Sequence, residues 1–139
     1  MNTVQNIAIL AGRILLVAIF IQSGWGKLGA PGPVQEYIAS AGLPAPFLAY
    51  VVALVVEIGL GLAVLVGFQT RWAALGLALF TVAAALGFHF DFGDENQATH
   101  FMKNMSMAGG FLALFAFGGG AFSLDAMRGD NVRRQAVAA

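Results

Sequence analysis

Four apolar runs, each about 20 residues long, dominate the sequence and set the class of fold that it can adopt. They cover residues 7–26, 47–66, 71–90 and 102–122. A hydrocarbon core about 30 Å thick is crossed by about 20 apolar residues in a helix that rises about 1.5 Å per residue. The sequence therefore predicts an all-α fold, a bundle of four transmembrane helices.

The low charge content also indicates a membrane protein. Only 10% of the 139 residues are charged, against about 25% in an ordinary soluble domain, and the mean hydropathy is +0.80. A soluble fold of this length has too little interior to hide so much apolar surface. Because Arg13 lies inside the first run and no small-residue cleavage site follows it, we expect that run to be a retained span.

Composition also excludes several classes of function. The formal net charge is zero, and no basic patch of the kind that binds nucleic acid is present in the sequence. The chain contains no cysteine, which excludes disulfides, thiolate nucleophiles, iron–sulfur clusters and zinc–thiolate sites.

The links between the runs predict one membrane domain over residues 1–122 and a polar tail over residues 123–139. The short "GFQT" link makes the second and third spans antiparallel neighbours. The longest link, from Lys27 to Pro46, has Pro33 at a helix start and Gly42 followed by Pro44 at its end. This pattern predicts a short helix on the surface between spans 1 and 2.

The distribution of lysine and arginine predicts the orientation in the membrane. With four spans, both termini share a side with the "GFQT" turn. That side carries Arg71, Arg128, Arg133 and Arg134, and the other carries Lys27 and Lys103. The positive-inside rule therefore predicts that the N and C termini are cytoplasmic.

Glu57 is the residue that hydropathy alone explains least, because it lies near the middle of the second span. A carboxylate there costs about 2.5–3.5 kcal/mol on insertion scales, so it should face the bundle interior and be protonated or paired. Arg13 lies within about one helical turn of the same depth on the neighbouring span. We therefore predict an Arg13–Glu57 interaction, either as a structural ion pair or as part of a functional site.

A second polar set converges at the outer ends of three spans. It consists of Gln22, Ser23 and Lys27 on the first span, His89 on the third, and Lys103, Asn104 and Ser106 on the fourth. Together with Glu57 and Arg13, these side chains could line a pocket that opens outward or sideways to lipid. The alternative is that they are snorkelling or capping groups at helix ends.

The stretch "FHFDFGDENQATHFMKN", residues 88–104, resembles a metal site at first sight. Its histidines and acids match neither the HExxH nor the EF-hand pattern. Haem binding would call for axial ligands facing each other across the bundle, whereas His89 and His100 flank a single turn. We therefore predict no metal site here, and a solvated outer turn over residues 91–97.

The order of these motifs resembles that of the DoxX family of small four-span membrane proteins. The matching features are Arg13, "SGWGKL" with Gly24 and Lys27, "GLP" at residues 42–44, Glu57, "VGFQTRWAA" with Gly67 and Arg71, His89, and "KN" at residues 103–104. The resemblance implies a component of the bacterial inner membrane and redox or quinone-linked chemistry. It also implies partnership with membrane-associated oxidoreductases.

Three functions remain open from the sequence. The first is a membrane subunit that binds a quinone or another lipophilic molecule near Glu57, His89 and Arg13, where a histidine and a carboxylic acid could exchange protons. The second is a non-catalytic scaffold for membrane oxidoreductases. The third is a small lipid-binding or transport protein, which four spans could form only as an oligomer or with a shallow site.

Overall fold

The fold is described from a computed structural model, over residues 1–129. Its helices are α1 (Thr3–Leu28), α2 (Pro31–Ser40), α3 (Pro46–Val66), α4 (Thr70–Phe88) and α5 (Glu95–Phe117), and residues 124–129 are also helical. No strand occurs within these residues. The all-α prediction is confirmed, as is the short helix between spans 1 and 2, which is α2. The end of the predicted tail, with Arg133 and Arg134, lies outside the described residues.

Local sequence signals explain where the helices begin. Asn2 and Gln5 form a reciprocal capping box at the start of α1: each side-chain oxygen accepts a hydrogen bond from the other residue's backbone N–H, at 2.9 and 2.8 Å. Asp94 caps α5 through the backbone N–H of Asn96, at 2.8 Å. This cap extends α5 to Glu95, well before the apolar run that begins at residue 102.

Glycines in the left-handed region end two of the long helices. Gly67 has a φ of +73° after α3, and Gly118 has a φ of +81° after α5. Only a residue without a Cβ adopts such angles readily. The α5 helix therefore stops at Phe117 instead of continuing to residue 122, where the apolar run ends. Residues 118–123 turn back toward the ends of α1 and α3.

The core lies where α1, α3, α4 and α5 meet. Its fully buried side chains include Val17, Val64, Leu77 and Phe111. Small residues let the helices approach closely. A Cβ on Gly110 would lie 2.9 Å from the side chain of Leu16, and one on Gly76 would lie 2.6 Å from that of Leu60. This packing fixes the relative positions of the helices that surround the site.

The outer surface of the bundle is apolar. Leu15, Trp25, Phe47 and Leu79 are each more than 60% exposed, as is expected where lipid tails cover a protein surface. Three helices, α1, α3 and α4, are long and apolar enough to cross a membrane. The α5 helix has sufficient length, at 23 residues, but its hydropathy is lowered by polar residues in its first half.

The α3 helix is not α-helical throughout. Residues Val55–Leu60 form a π-helical segment in its middle. Such wider turns are rare and frequently occur at functional sites. Glu57 lies inside this segment and is buried, so the irregular turn and the acidic residue coincide.

Candidate functional site

A cavity of about 520 Å³ lies at the end of the bundle that carries α2. All five helices contribute to its walls. Representative apolar lining residues are Ile19 and Phe20 of α1, Ile38 of α2, Val52 of α3, Phe80 of α4 and Met107 of α5. Because α2 packs over this end, the surface helix forms part of the cavity wall.

An ion pair between α1 and α3 forms the polar centre of the cavity. The Nζ of Lys27 lies 2.8 Å from each carboxylate oxygen of Glu57. It also donates to Oγ of Ser23 at 2.6 Å. The side chains of Lys27 and Glu57 are 24% and 7% exposed, so the pair is largely removed from solvent. This arrangement satisfies a carboxylate that lipid could not solvate.

The backbone around Glu57 is shaped to bring the two helices together. A Cβ on Gly24 would lie only 2.6 Å from Cγ1 of Ile58 and 3.2 Å from Cβ of Glu57. Glycine at this position therefore lets α1 lie directly against the π-helical segment of α3. Ser23 and Lys27, four residues apart on α1, then lie on the helix face next to Glu57.

His89 lines the cavity from the end of α4. Its Nδ1 lies 2.7 Å from Oε1 of Gln97 on α5. The ring stacks on that of His100, with centroids 5.0 Å apart and an interplanar angle of 22°. Within residues 1–129, no three or more His, Cys, Asp or Glu side chains are grouped so that they could hold a metal ion.

Asn104 of α5 also lines the cavity and is half-buried. Its side-chain amide makes no hydrogen bond to any other residue in the range 1–129. The cavity therefore brings together four of the seven predicted site residues, Lys27, Glu57, His89 and Asn104, along with Ser23.

The other three predicted site residues lie elsewhere. Gln22 is exposed on α1, on a different face from the cavity. Lys103 is exposed on α5 and borders a second, open groove with Glu95 and Ser106; the groove shares Ile19 and Met107 with the cavity. Both fit the alternative interpretation as polar groups at a helix surface. Arg13 lies at the opposite end of the bundle from α2.

The predicted Arg13–Glu57 pair is wrong. Arg13 is 1% exposed, and within residues 1–129 it donates hydrogen bonds only to backbone carbonyls. Its Nε binds Val64 O at 2.8 Å, Nη1 binds Gly119 O at 2.8 Å and Phe122 O at 2.7 Å, and Nη2 binds Leu65 O. These carbonyls lie at the end of α3, where Val64 O also accepts from the backbone N–H of Gly67 at 3.2 Å, and in the glycine-rich turn. Arg13 therefore joins the α3 end to the segment after α5.

Asp125 makes a second set of long-range hydrogen bonds at the same end of the bundle as Arg13, and the sequence did not predict it. Its carboxylate accepts hydrogen bonds from the backbone N–H groups of Gln69 and Thr70, each at 2.8 Å, and from Oγ1 of Thr70 at 2.7 Å. Burial raises the pKa of this carboxyl, but these bonds and the nearby Arg128 outweigh burial and leave the pKa below its ordinary value of 3.8. The only sequence signal was a helix start at Thr70 without a local capping residue.

Similar proteins place the chain in a family. The DoxX family model matches residues 8–90. The inner membrane protein YqjF of Escherichia coli is 41% identical over 125 residues, which cover 90% of this chain and 95% of that protein. The inner membrane protein YphA of the same organism is 40% identical over 128 residues, which cover 87% of this chain and 90% of that protein.

No solved structure matches the chain. The family match covers more than half of the sequence, and both relatives align along almost their whole length. The apolar helices agree with the membrane location that the relatives' names state. The chain therefore belongs to the DoxX family and is an integral inner-membrane protein.

Proposed function

We propose that the protein binds a quinone or a similar lipophilic molecule in the cavity and acts as a subunit or partner of a membrane redox system. The observation that carries this proposal is one cavity with apolar walls and a small set of converging polar groups. Ligand sites in proteins commonly have this composition, with volumes of about 300–1,000 Å³. The cavity volume of about 520 Å³ lies within that range.

The polar groups suit a molecule whose reaction includes proton exchange. Reduction of a quinone adds protons at its carbonyl oxygens, and histidine and carboxylic acids are common proton carriers. His89 and Glu57 both line the cavity, from α4 and α3. Since the chain has no cysteine, we propose that electrons come from a partner enzyme or its cofactor.

A scaffold function is the second candidate, and it rests on a different surface. The groove between α1 and α5 is lined by Glu95, Thr99, Lys103 and Ser106 as well as by apolar residues. Exposed polar groups on a membrane helix are commonly satisfied by contacts with another helix. This groove could therefore receive a helix of a partner protein.

The proposed orientation in the inner membrane has both termini in the cytoplasm, with α5 as the fourth span and α2 on the periplasmic side. Because the chain has no native cysteine, a single introduced cysteine reports topology directly. In intact cells, a membrane-impermeant maleimide should label Ser40→Cys on α2. It should label Gly129→Cys only after the cells are permeabilised. The reverse pattern would contradict the orientation.

Extraction of the purified protein tests the function itself. The protein is purified in mild detergent, and its bound quinones and lipids are extracted and quantified by mass spectrometry. The proposal predicts a lipophilic ligand near one per chain for the wild type and for Ser106→Ala, which lies outside the cavity. His89→Ala should retain much less. Enzymes that co-purify with a ligand-free protein would instead favour the scaffold.

A further inference from the structure

We propose that the cavity selects an electrically neutral ligand, which hydrogen-bonds to Asn104 and His89, and that it rejects lipophilic acids. This inference rests on the proposed binding function and adds a chemical class to it. The lining residues alone would suggest the opposite ligand, because a lysine in an apolar cavity ordinarily indicates a site for a carboxylate, such as that of a fatty acid.

The geometry around Lys27 removes that option. An ammonium group has three N–H donors, and three acceptor atoms already surround Nζ: Oγ of Ser23 at 2.6 Å and the two oxygens of Glu57 at 2.8 Å each. The charge of Lys27 is neutralised by Glu57 at the same contact. An incoming carboxylate would have to displace the Glu57 carboxylate or lie beside it. Either arrangement places an unpaired negative charge in an apolar space, which is strongly unfavourable.

Asn104 offers the hydrogen bonds that Lys27 cannot. Its side-chain amide faces the cavity lining without a partner among residues 1–129. An amide carries two N–H donors and one carbonyl acceptor but no charge. A half-buried amide of this kind gains a net hydrogen bond from a neutral carbonyl or hydroxyl group on a ligand. Asn104 is therefore the residue that we assign to recognition of the polar group of the ligand.

His89 supplies a second hydrogen-bonding group. Its Nδ1 lies 2.7 Å from Oε1 of Gln97. The other ring nitrogen, Nε2, can donate to a ligand or accept from it according to the tautomer. An uncharged amide from α5 and an imidazole from α4 together suit a neutral head group with a carbonyl or hydroxyl oxygen.

Binding of two matched probes tests the inference. The protein in lipid nanodiscs is titrated with a benzoquinone that carries a decyl chain and with undecanoate, which carries the same decyl chain on a carboxylate. Empty nanodiscs correct for partition into lipid. We expect one quinone site per chain and an affinity for undecanoate at least about tenfold weaker, a difference of about 1.4 kcal/mol.

Two variants and one control substitution make the test specific. Asn104→Leu, which keeps the volume but removes the amide, should weaken quinone binding by about fivefold to tenfold. Ser106→Ala, exposed on the same helix, should leave it unchanged. Glu57→Gln frees the Lys27 ammonium from its counter-charge, so undecanoate affinity should rise by about tenfold or more. Circular dichroism and size-exclusion profiles confirm that each variant is folded.

The outcomes separate this inference from the proposed function. Undecanoate that binds to the wild type as tightly as the quinone would overturn neutral selection while leaving a lipophilic ligand site in place. Equal quinone affinity of Asn104→Leu and the wild type would overturn the assignment of Asn104. Absence of saturable binding for both probes would overturn the binding function and, with it, this inference.

Discussion

Lys27 and Glu57 form an ion pair between α1 and α3, in which the Lys27 Nζ lies 2.8 Å from each of the two carboxylate oxygens. The pair forms at the point where Gly24 lets α1 lie against the π-helical segment Val55–Leu60. It therefore has two consequences. It satisfies an acid inside an apolar bundle, and it neutralises the charge of Lys27 at the cavity wall.

We predict that breaking the Lys27–Glu57 pair from one side is more harmful than removing both partners. Lys27→Met leaves the Glu57 carboxylate, whose side chain is 7% exposed, without a cation and with only the 3.4 Å hydrogen bond from Oγ of Ser23. This should lower stability by roughly 3 kcal/mol. In Lys27→Met/Glu57→Gln no charge remains, so most of that stability should return. Thermal unfolding in one detergent compares the wild type with both variants. A double variant at least as unstable as Lys27→Met would contradict the pair as described.

Replacement of Arg13 should loosen the end of the bundle opposite α2. Arg13→Lys keeps the charge, but a compact ammonium cannot reach carbonyls in both α3 and the segment after α5 as the guanidinium does. We expect a loss of about 3 kcal/mol or more and faster proteolysis after residue 118. Arg71→Lys is the matched control, because Arg71 also binds carbonyls, of Phe115 and Ala116, but is exposed. Equal effects of the two variants would argue against a special function for Arg13.

Two glycines on α1 should respond differently to the same added methyl group. Gly24→Ala places a Cβ 2.6 Å from the Ile58 side chain, which forces α1 away from α3 and should destabilise the fold by about 1–3 kcal/mol. Gly26→Ala meets nothing within 4 Å and should be neutral or stabilising, since alanine favours a helix by about 1 kcal/mol over glycine. Melting temperatures of the two variants test this contrast. Indistinguishable values would show that the helices are not held in close contact at Gly24.

Asp125 should make stability depend on acid pH. Its folded-state pKa is below 3.8 because hydrogen bonds from Thr70 and Gln69 outweigh the effect of burial. A carboxyl with a lowered folded pKa stabilises the fold above its unfolded pKa, and this contribution is lost as the pH falls through the folded value. The wild type should therefore melt above Asp125→Asn at pH 7, and the difference should shrink at pH 3. A difference that is the same at both pH values would contradict this account.

The sequence predicted well what depends on local pattern and poorly what depends on long-range contacts. Hydropathy predicted the helical bundle, and the proline and glycine positions predicted α2. The predicted depths in the membrane correctly placed Lys27, His89 and Asn104 near Glu57, because the depth of a residue follows from the helical rise alone. The same reasoning failed for Arg13, whose partners are backbone carbonyls in a turn that folds back after Gly118.

The π-helical segment was also beyond sequence reasoning. Nothing in "VVEIGL" distinguishes a π turn from an α turn by pattern, and the segment packs against α1 and α4, which lie far from it in the sequence. The left-handed glycine at residue 118 ended α5 before the apolar run ended. An apolar run shows which residues can lie in lipid, whereas the backbone angles determine the residue at which a helix ends.

The most direct test of the central claim is to fill the cavity and measure the bound ligand. Ala84 lines the cavity on α4, so Ala84→Trp should occupy much of its volume. Ala113→Trp adds the same side chain to an exposed site on α5 and is the matched control. Native mass spectrometry of the proteins released from nanodiscs should show a lipophilic ligand on the wild type and on Ala113→Trp but not on Ala84→Trp. Equal ligand occupancy in all three proteins, or none in the wild type, would contradict the claim that this cavity is the binding site.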